Sequence, residues 1–375
     1  MPTPSILVAT WDHGLFSVAG ETARQELAGR SVRGLASDGR GGVLAIVDGR
    51  ALCRRSPDGE WATAAESEAA LSCCVAVGDA VFVGTDDARI LRIDADGARQ
   101  WLTAFDATEG RDSWYAGAAL VDGKLMGPPL GIRSMTATCD GAALLANVHV
   151  GGVPRSGDLG RSWRPTIDIE CDVHQVCAHP TRPEIVIAAS AAGLCISRDA
   201  GATWTIEQRG LHALHCSAVA LGPDDMFISA AADQFADQAA IYRRPIDGDS
   251  PLQPLGGGMP RWIDGVADTD CIAIRGSTAA VIDRSGRLYL SQDGGASWSD
   301  GPSACLGRPA GCRSADPRRA SAGRGDVVQL VRVAHHIDAD DLSVGDIECG
   351  GLGQVVGFEG DETRQAVDEA IAQQA

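Results

Sequence analysis

Ser197-Arg198-Asp199-Ala200-Gly201-Ala202-Thr203-Trp204 recurs almost letter for letter at two other places in the chain. The other copies run from Ser156 to Trp163 and from Ser291 to Trp298, and all three read S-x-D-x-G-x-[ST]-W after a short apolar run. In such a turn the Asp accepts backbone N–H bonds, the Gly supplies a positive φ, and the Trp anchors the adjacent strand in the core. The motif therefore predicts a self-locking β-hairpin turn, with structural roles for Asp158, Trp163, Asp199, Trp204, Asp293 and Trp298.

A larger repeat surrounds these turns. Each motif is preceded by a strand, a short polar turn and a second strand, and the same pattern occurs seven times, starting at residues 5, 42, 80, 143, 184, 226 and 279. The copies are mostly about 36 to 48 residues apart, which is the interval of a four-stranded propeller blade. The sequence thus predicts an all-β fold, a seven-bladed β-propeller that occupies residues 1–300.

Ring closure depends on the end of the chain. Alternating runs that fit an innermost strand precede six of the seven copies, and the copy at the N-terminus lacks one. Residues 326–334 are the best candidate for the missing strand, within a tail at 326–375 that also contains a candidate short helix at 361–374. Residues 301–325 read as linker or disorder. The abrupt change of composition after residue 300 is also compatible with a displaced reading frame, and the sequence leaves both explanations open.

Composition excludes several classes of partner. The chain has 375 residues, 45% of them hydrophobic, but no apolar run long enough to cross a bilayer, and its start does not resemble a secretory signal, so we expect a cytoplasmic protein. Its net charge of −18, with a single lysine, disfavours nucleic acid and anionic membrane surfaces. The twelve cysteines are scattered, without zinc-site spacing, and are expected to be reduced and mostly buried. The Ala, Gly, Arg and Asp bias is typical of a GC-rich bacterial genome.

The repeated turn resembles the Asp box of the BNR-repeat β-propellers. That group includes sialidases, other glycosidases, sortilin-type receptors and photosystem assembly factors, so the resemblance implies a fold and leaves the activity open. A sialidase also has an F/Y-R-I-P segment near its N-terminus, which this chain lacks, and Tyr115, Tyr242 and Tyr289 have no obvious Glu partner. The resemblance therefore implies a sialidase-like or glycosyl hydrolase-like architecture without sialidase activity.

Propeller topology assigns the polar residues to faces. The S-x-D turns join the third and fourth strands on one face, whereas the turns between second and third strands open on the other face, around the channel mouth. Five of the eight histidines fall on that second face: His13, His149, His174, His212 and His215. We predict that His149, His174 and His212 form a catalytic centre with Asp172, and that the three histidines bind one divalent metal ion. The alternative is that these polar turns cap strands or bind channel water.

Further residues on the same face are candidates for ligand binding. Arg33 and Arg133 occupy equivalent positions on inner strands, and Asp12, His13 and Asp270 lie in nearby turns. A long insertion between the third and fourth repeats carries Trp114 and Tyr115 and a Pro-Pro turn, which predicts a wall or lid over a pocket. Aromatic platforms suit sugar rings, although these aromatics would also fit against a blade edge.

Two functions follow from these features. The histidine clustering favours a hydrolase or lyase that acts on a small sugar-like or cyclic ester ligand, a small molecule or carbohydrate, in a His/Asp-lined pocket. The absence of a strong catalytic motif favours a non-catalytic binding or assembly scaffold of the photosystem-assembly-factor type, with a protein partner. The sequence leaves the substrate, the metal and the oligomeric state open.

Overall fold

The computed structural model describes residues 5–11, 13–115, 119–121, 124–126, 130–302 and 327–333. Seven sheets form the blades of a β-propeller, six of them wholly antiparallel, which confirms the predicted fold class. Within these residues the helices are a single turn, α1 (Thr103–Asp106), and two short 3-10 segments, Arg111–Ser113 and Ile169–Cys171. None of the helices within these ranges has the length and apolar character needed to cross a membrane.

The strands follow the chain in order, four to a blade in most cases. Blades 1 to 3 contain β1 (Ser5–Thr10), β2 (Leu15–Ala19), β3 (Thr22–Glu26), β4 (Val32–Ser37), β5 (Val43–Val47), β6 (Ala51–Arg55), β7 (Trp61–Glu66), β8 (Leu71–Val77), β9 (Ala80–Thr85), β10 (Ile90–Ile93) and β11 (Arg99–Trp101). A separate hairpin of β12 (Ala119–Val121) and β13 (Lys124–Met126) follows.

The remaining blades repeat the arrangement. Blades 4 to 7 contain β14 (Ile132–Ala137), β15 (Leu144–Val148), β16 (Pro154–Ser156), β17 (Arg164–Pro165), β18 (Val173–Ala178), β19 (Val186–Ser190), β20 (Gly193–Ser197), β21 (Thr205–Glu207), β22 (His215–Leu221), β23 (Asp225–Ala231), β24 (Gln238–Pro245), β25 (Gln253–Pro254), β26 (Ile263–Asp264), β27 (Ile272–Arg275), β28 (Thr278–Ile282), β29 (Leu288–Ser291) and β30 (Ser299–Asp300). β26 adds a fifth strand to blade 6 by pairing with β24.

The inner strand of blade 1 comes from the far end of the chain. β31 (Val327–Val333) falls inside the segment 326–334 and pairs with β1 from Ser5 to Thr10. The pairing is parallel, whereas the other six inner strands are antiparallel to their neighbours. No hairpin joins β31 to β1, so no short connection dictates its direction. The rest of the tail, including the helix predicted at 361–374, lies outside the described residues.

The core lies between the blades. Every residue of β5 is buried, and alternate side chains face opposite neighbours: Leu44 and Ile46 pack against blade 3, while Val43, Ala45 and Val47 pack against blade 1. A strand covered on both faces has no solvent side, so it reads as a continuous apolar run. This burial explains why the second strand of each repeat was the clearest signal in the sequence.

The S-x-D turns are locked by side-chain bonds, as the motif predicts. Asp199 accepts the Thr203 backbone N–H at 2.8 Å and the Thr203 hydroxyl at 2.6 Å, and the Ser197 hydroxyl donates to Asp199 at 2.8 Å. Gly201 has a φ of 78°. Asp158 and Asp293 make the equivalent bonds in their own turns. The rings of Trp163, Trp204 and Trp298 pack on three different inter-blade clusters, which ties each turn to the core.

Glycine is required where two loops cross near the last blade. Gly257 has a φ of +65°, and a Cβ there would lie 2.0 Å from the carbonyl oxygen of Ala296. We expect Gly257→Ala to lower the free energy of unfolding by about 3 kcal/mol, because it combines a left-handed backbone with a backbone clash. Gly248 has a φ of +93° with open space around it, so Gly248→Ala should cost about 1 kcal/mol. Urea unfolding of both variants measures the difference, and equal losses would refute the clash.

Candidate functional site

Two histidines and one aspartate meet where blades 4 and 5 adjoin. His149 follows β15, and Asp172 and His174 lie at the start of β18. His149 Nε2 is 3.6 Å from Asp172 Oδ1, and His174 Nε2 is 3.3 Å from Asp172 Oδ2. One ligand atom from each residue lies within 4.8 Å of the others. The structure thus brings together two of the three predicted histidines and the predicted aspartate.

Local backbone geometry positions the aspartate. Asp168 caps the 3-10 segment Ile169–Cys171 by accepting the Glu170 N–H at 2.9 Å, and the segment ends at Asp172 with a φ of 46°. Asp tolerates this left-handed conformation better than most residues. The chain reverses there into the inner strand, which leaves the Asp172 carboxylate between the two imidazoles.

The protonation of His174 is constrained from both sides. Its Nδ1 is 2.6 Å from the Cys216 carbonyl oxygen, which is an acceptor only, so Nδ1 carries a proton. Its Nε2 faces a carboxylate oxygen, which is also an acceptor. Nε2 and the Asp172 carboxylate can therefore share a proton, or a cation or a water can lie between them.

Several polar atoms around this group lack partners within the described residues. These are His149 Nδ1, Asp172 Oδ1 and both amide atoms of Asn147. Asn147 is fully buried, two residues before His149 on β15. Buried polar atoms are normally bonded to protein, water or an ion, so ordered water or an ion would complete these bonds.

The electrostatics keep two of the histidines neutral. Burial, followed by the nearby Arg133 charge, lowers the pKa of His149 well below its usual range. Burial and the neighbouring His174 lower the pKa of His215 to about 4. Burial raises the pKa of Asp172, but the bond from His174 and the surrounding charges outweigh it, so the net pKa is lowered. A carboxylate beside the neutral His149 imidazole matches the protonation that metal binding requires of those two groups.

His215 and Arg133 border this group. The His215 ring centroid lies 4.6 Å from that of His174. Arg133 donates to Asp268 at 2.8 Å and to Thr269 at 3.1 Å, and the Thr269 hydroxyl donates to the His174 carbonyl at 3.0 Å. His215, rather than the predicted His212, therefore lies beside the group. The available signal was that His215 is the first residue of an inner strand, whereas His212 lies in the preceding loop.

His212 is not part of the group, which corrects the predicted three-histidine centre. Its Nδ1 is 2.8 Å from the hydroxyl of Tyr242, and its backbone N–H donates to the same oxygen at 3.2 Å. Its ring lies edge-on to Trp262, with centroids 4.8 Å apart. These contacts hold the imidazole over blade 6, because the loop before β22 folds onto the buried Tyr242.

The other predicted ligand-binding residues lie apart from the histidines. Arg33 is paired with Asp86 at 3.0 Å and lies over the Trp11 ring. Asp270 accepts from Gln175 Nε2 at 2.9 Å, which links blades 5 and 7 near the channel. His13 lies in the β1–β2 turn, where its N–H donates to Thr10. Asp12 lies outside the described residues.

The predicted aromatic wall is corrected for Trp114. Its ring is 7% exposed and packs against Phe105, with centroids 5.7 Å apart, inside the cluster shared by blades 3 and 4. The guanidinium carbon of Arg111 lies 5.0 Å from the centroid of the Trp114 ring. The gain from burying so large an apolar ring places it in the core. Tyr115 is half-buried and bridges to Val150, and the Pro-Pro turn lies outside the described residues.

Known structures share the fold. No family model and no curated protein sequence matches this chain. An ancestral GH74 enzyme aligns at 15% identity with a TM-score of 0.51, over 69% of this chain and 36% of that one, so this chain spans about a third of its length. Virginiamycin B lyase from Staphylococcus aureus aligns at 13% identity (TM-score 0.49; 72% and 84% of the chains). YCF48 bound to D1 peptide aligns at 14% (TM-score 0.47; 80% and 84%). At these identities the likeness shows a propeller fold alone.

Proposed function

We propose that His149, Asp172 and His174 hold a divalent metal ion in a hydrolase or lyase site at the channel mouth. The observation that carries this proposal is the position of His174, with Nδ1 on the Cys216 carbonyl and Nε2 on the Asp172 carboxylate. A metal-binding histidine commonly donates its other N–H to a backbone carbonyl, which fixes the tautomer. A cation between the three residues would bind Nε2 and the Asp172 carboxylate together while Nδ1 donates to the Cys216 carbonyl.

The three ligands narrow the choice of metal ion. Two imidazole nitrogens and one carboxylate suit zinc, iron or manganese, and leave coordination positions open to a ligand. When bound, such an ion supplies Lewis acidity to a carbonyl or ester oxygen. His215, whose neutral ring lies against His174, is placed to accept a proton from an attacking water or from the substrate.

The site is open on one side. The Asp172 side chain is 34% exposed, while those of His149 and His174 are 8% and 4% exposed, so a ligand would approach over the carboxylate. Arg133 and Asp268 stand beside that approach and offer one donor and one acceptor. A small, hydroxyl-rich or ester ligand matches this polar rim, and we therefore propose a sugar-like or cyclic ester substrate.

We further propose that the chain is a divergent member of the BNR or Asp-box propellers. The support is that three turns share both the S-x-D-x-G-x-[ST]-W sequence and the same set of Ser–Asp and Asp–hydroxyl bonds. These turns lie on the face opposite the histidines, so membership would account for the scaffold and not for the site.

Elemental analysis of the purified, tag-free protein tests the metal proposal. We expect close to one equivalent of zinc, manganese or iron, lost in His174→Ala and retained in His212→Ala. His212→Ala is the matched control, because that imidazole lies on the same face but outside the group. Absence of metal from the wild type after growth and dialysis with each ion would refute the proposal, as would equal loss in the two variants.

A scaffold function is the second candidate, and one observation favours it. Leu214, Phe235 and Trp262 are 40%, 79% and 42% exposed, and all lie in blade 6 loops on the channel-mouth face. Exposed large apolar side chains on one side of a protein are a feature of protein-binding surfaces. If the protein holds no metal and the substitution Phe235→Ser abolishes its binding to a protein partner, the result would support the scaffold function over the enzymatic one.

A further inference from the structure

The loop between blades 6 and 7 crosses the mouth of the channel. It joins β26 to β27, the inner strand of blade 7. In this loop Asp268 accepts from Arg133 Nη2 at 2.8 Å. Asp270 accepts from Gln175 Nε2 at 2.9 Å. Arg133 and Gln175 belong to the inner strands of blades 4 and 5, which do not adjoin blade 7. Residues 268–270, which we call the strap, therefore bridge the ring from one side of the mouth to the other.

We propose that the strap holds His174 in place and that Thr269, at its centre, is the positioning residue. The Thr269 hydroxyl donates to the His174 carbonyl at 3.0 Å and accepts from Arg133 Nη2 at 3.1 Å. Thr269 is 2% exposed, so bulk water does not compete for these bonds. The importance of this role for metal binding rests on the function proposed above, whereas the position of the imidazole does not.

The backbone at His174 is the part that needs support. The pairing of β18 with β19 shifts between Val173 and Gln175, which makes His174 the extra residue of a β-bulge. A bulge leaves its extra residue outside the ladder and turns that side chain in a new direction. The bond from Thr269 gives the carbonyl of this residue a donor from another blade. It therefore fixes the backbone that decides where the imidazole points.

The strap is itself held at more than one point. Gln175 Oε1 accepts the Asp270 N–H at 3.2 Å and the Val219 N–H at 3.0 Å, so one side-chain amide joins the strap to blades 5 and 6. A group on a support that is locked by packing and hydrogen bonds holds its partner more precisely than one on a free loop. Thr269 is thus placed to keep His174 at its distance from Asp172.

Two measurements on the full chain test this role. The first is the NMR signal of the His174 Nδ1 proton, assigned by its absence from His174→Ala, which the bond to the Cys216 carbonyl should protect from exchange. The second is the affinity of chelator-treated protein for cobalt(II), followed by visible absorption. Thr269→Val should lose the protected signal and bind cobalt about tenfold more weakly, the usual result of removing a bond that orients a metal ligand. Thr269→Ser keeps the hydroxyl and should restore both.

Thr278→Val is the matched control. Thr278 is a threonine of the same blade, 4% exposed, and its hydroxyl donates to Gln292 at 3.1 Å. This variant should keep both the signal and the affinity of the wild type. Equal losses in Thr278→Val would show a general loosening of blade 7 and overturn the proposal. Retention of the signal in Thr269→Val, or failure of Thr269→Ser to restore it, would also overturn it.

The metal site and the role of Thr269 can fail separately. A wild type that binds no cobalt refutes the metal site, and the Nδ1 signal then decides the role of Thr269. Equal cobalt binding by the wild type and Thr269→Val, with the signal unchanged, refutes the role of Thr269 alone. A wild type without the protected signal refutes the position of His174 on which both depend. Thr269→Ala also lacks the hydroxyl and replaces Thr269→Val if that variant does not fold.

Discussion

Glu26→Ala is expected to lower the free energy of unfolding by about 3 to 5 kcal/mol, which is the usual result of removing one partner from a buried ion pair. Glu26 and Arg55 have side chains only 7% and 8% exposed, and the carboxylate also accepts from Trp61 Nε1 at 2.8 Å. The substitution leaves the Arg55 guanidinium buried between blades 1 and 2 without a counter-charge. Urea unfolding of the full chain measures the loss.

The matched control is the exposed Arg40–Asp79 pair, whose side chains are 53% and 79% exposed. Asp79→Ala should change stability by no more than about 0.5 kcal/mol, because water screens that pair and solvates the remaining charge. A loss of similar size in both variants would mean that net charge, rather than the buried contact, sets the stability of the blade boundary.

The same pair predicts a dependence on pH. Burial raises the pKa of Glu26, but bonds from Arg55 and Trp61 outweigh it, so the pKa is lowered from 4.5. A carboxylate with a lowered pKa stabilises the fold fully above its unfolded pKa and loses that contribution as the pH falls through its folded pKa. The advantage of the wild type over Glu26→Gln should be constant above about pH 5 and shrink below pH 4.5. An advantage at pH 3 as large as that at pH 6 would contradict the ionic origin of the effect.

The blades were predictable because their signals are local. A strand buried on both faces must be apolar throughout, and the S-x-D turn closes its own bonds within about five residues, so both leave a mark in any single repeat. The direction of β31 was not predictable, because no neighbouring segment of the chain constrains it.

The site was only half predictable, since it depends on which way side chains turn at strand ends. Topology placed His149, Asp172 and His174 at one mouth of the channel, and they do meet. It could not separate His212 from His215, which are three residues apart, because a contact with the distant Tyr242 decides where the first one lies. The prediction for Trp114 failed for a related reason: its ring packs on Phe105, which in turn contacts Trp163 from the following blade, and the sequence does not show that contact.

Asp172→Asn provides the sharpest test of what the histidines bind. If a metal ion binds between the three residues, a free ion concentration of a hundred times the dissociation constant should raise the free energy of unfolding of the wild type by about 2.7 kcal/mol. Removing the one anionic ligand should abolish this stabilisation, because two neutral imidazoles alone leave the ion without charge compensation. The measurement is the shift in unfolding midpoint on adding zinc, manganese or iron(II) to chelator-treated protein.

Asp270→Asn is the control for this substitution. Asp270 is also an aspartate with a positive φ, 65°, at the start of an inner-strand segment near the channel, but its carboxylate is bonded to Gln175. Asn keeps the acceptor that Gln175 needs and tolerates the same backbone, so the metal-induced shift should be retained. If both variants lose the metal-induced shift, a change in the backbone of these loops, rather than the loss of a metal ligand, would be the cause. Retention of the shift in Asp172→Asn would mean that the ion binds elsewhere in the protein and would refute the proposed site.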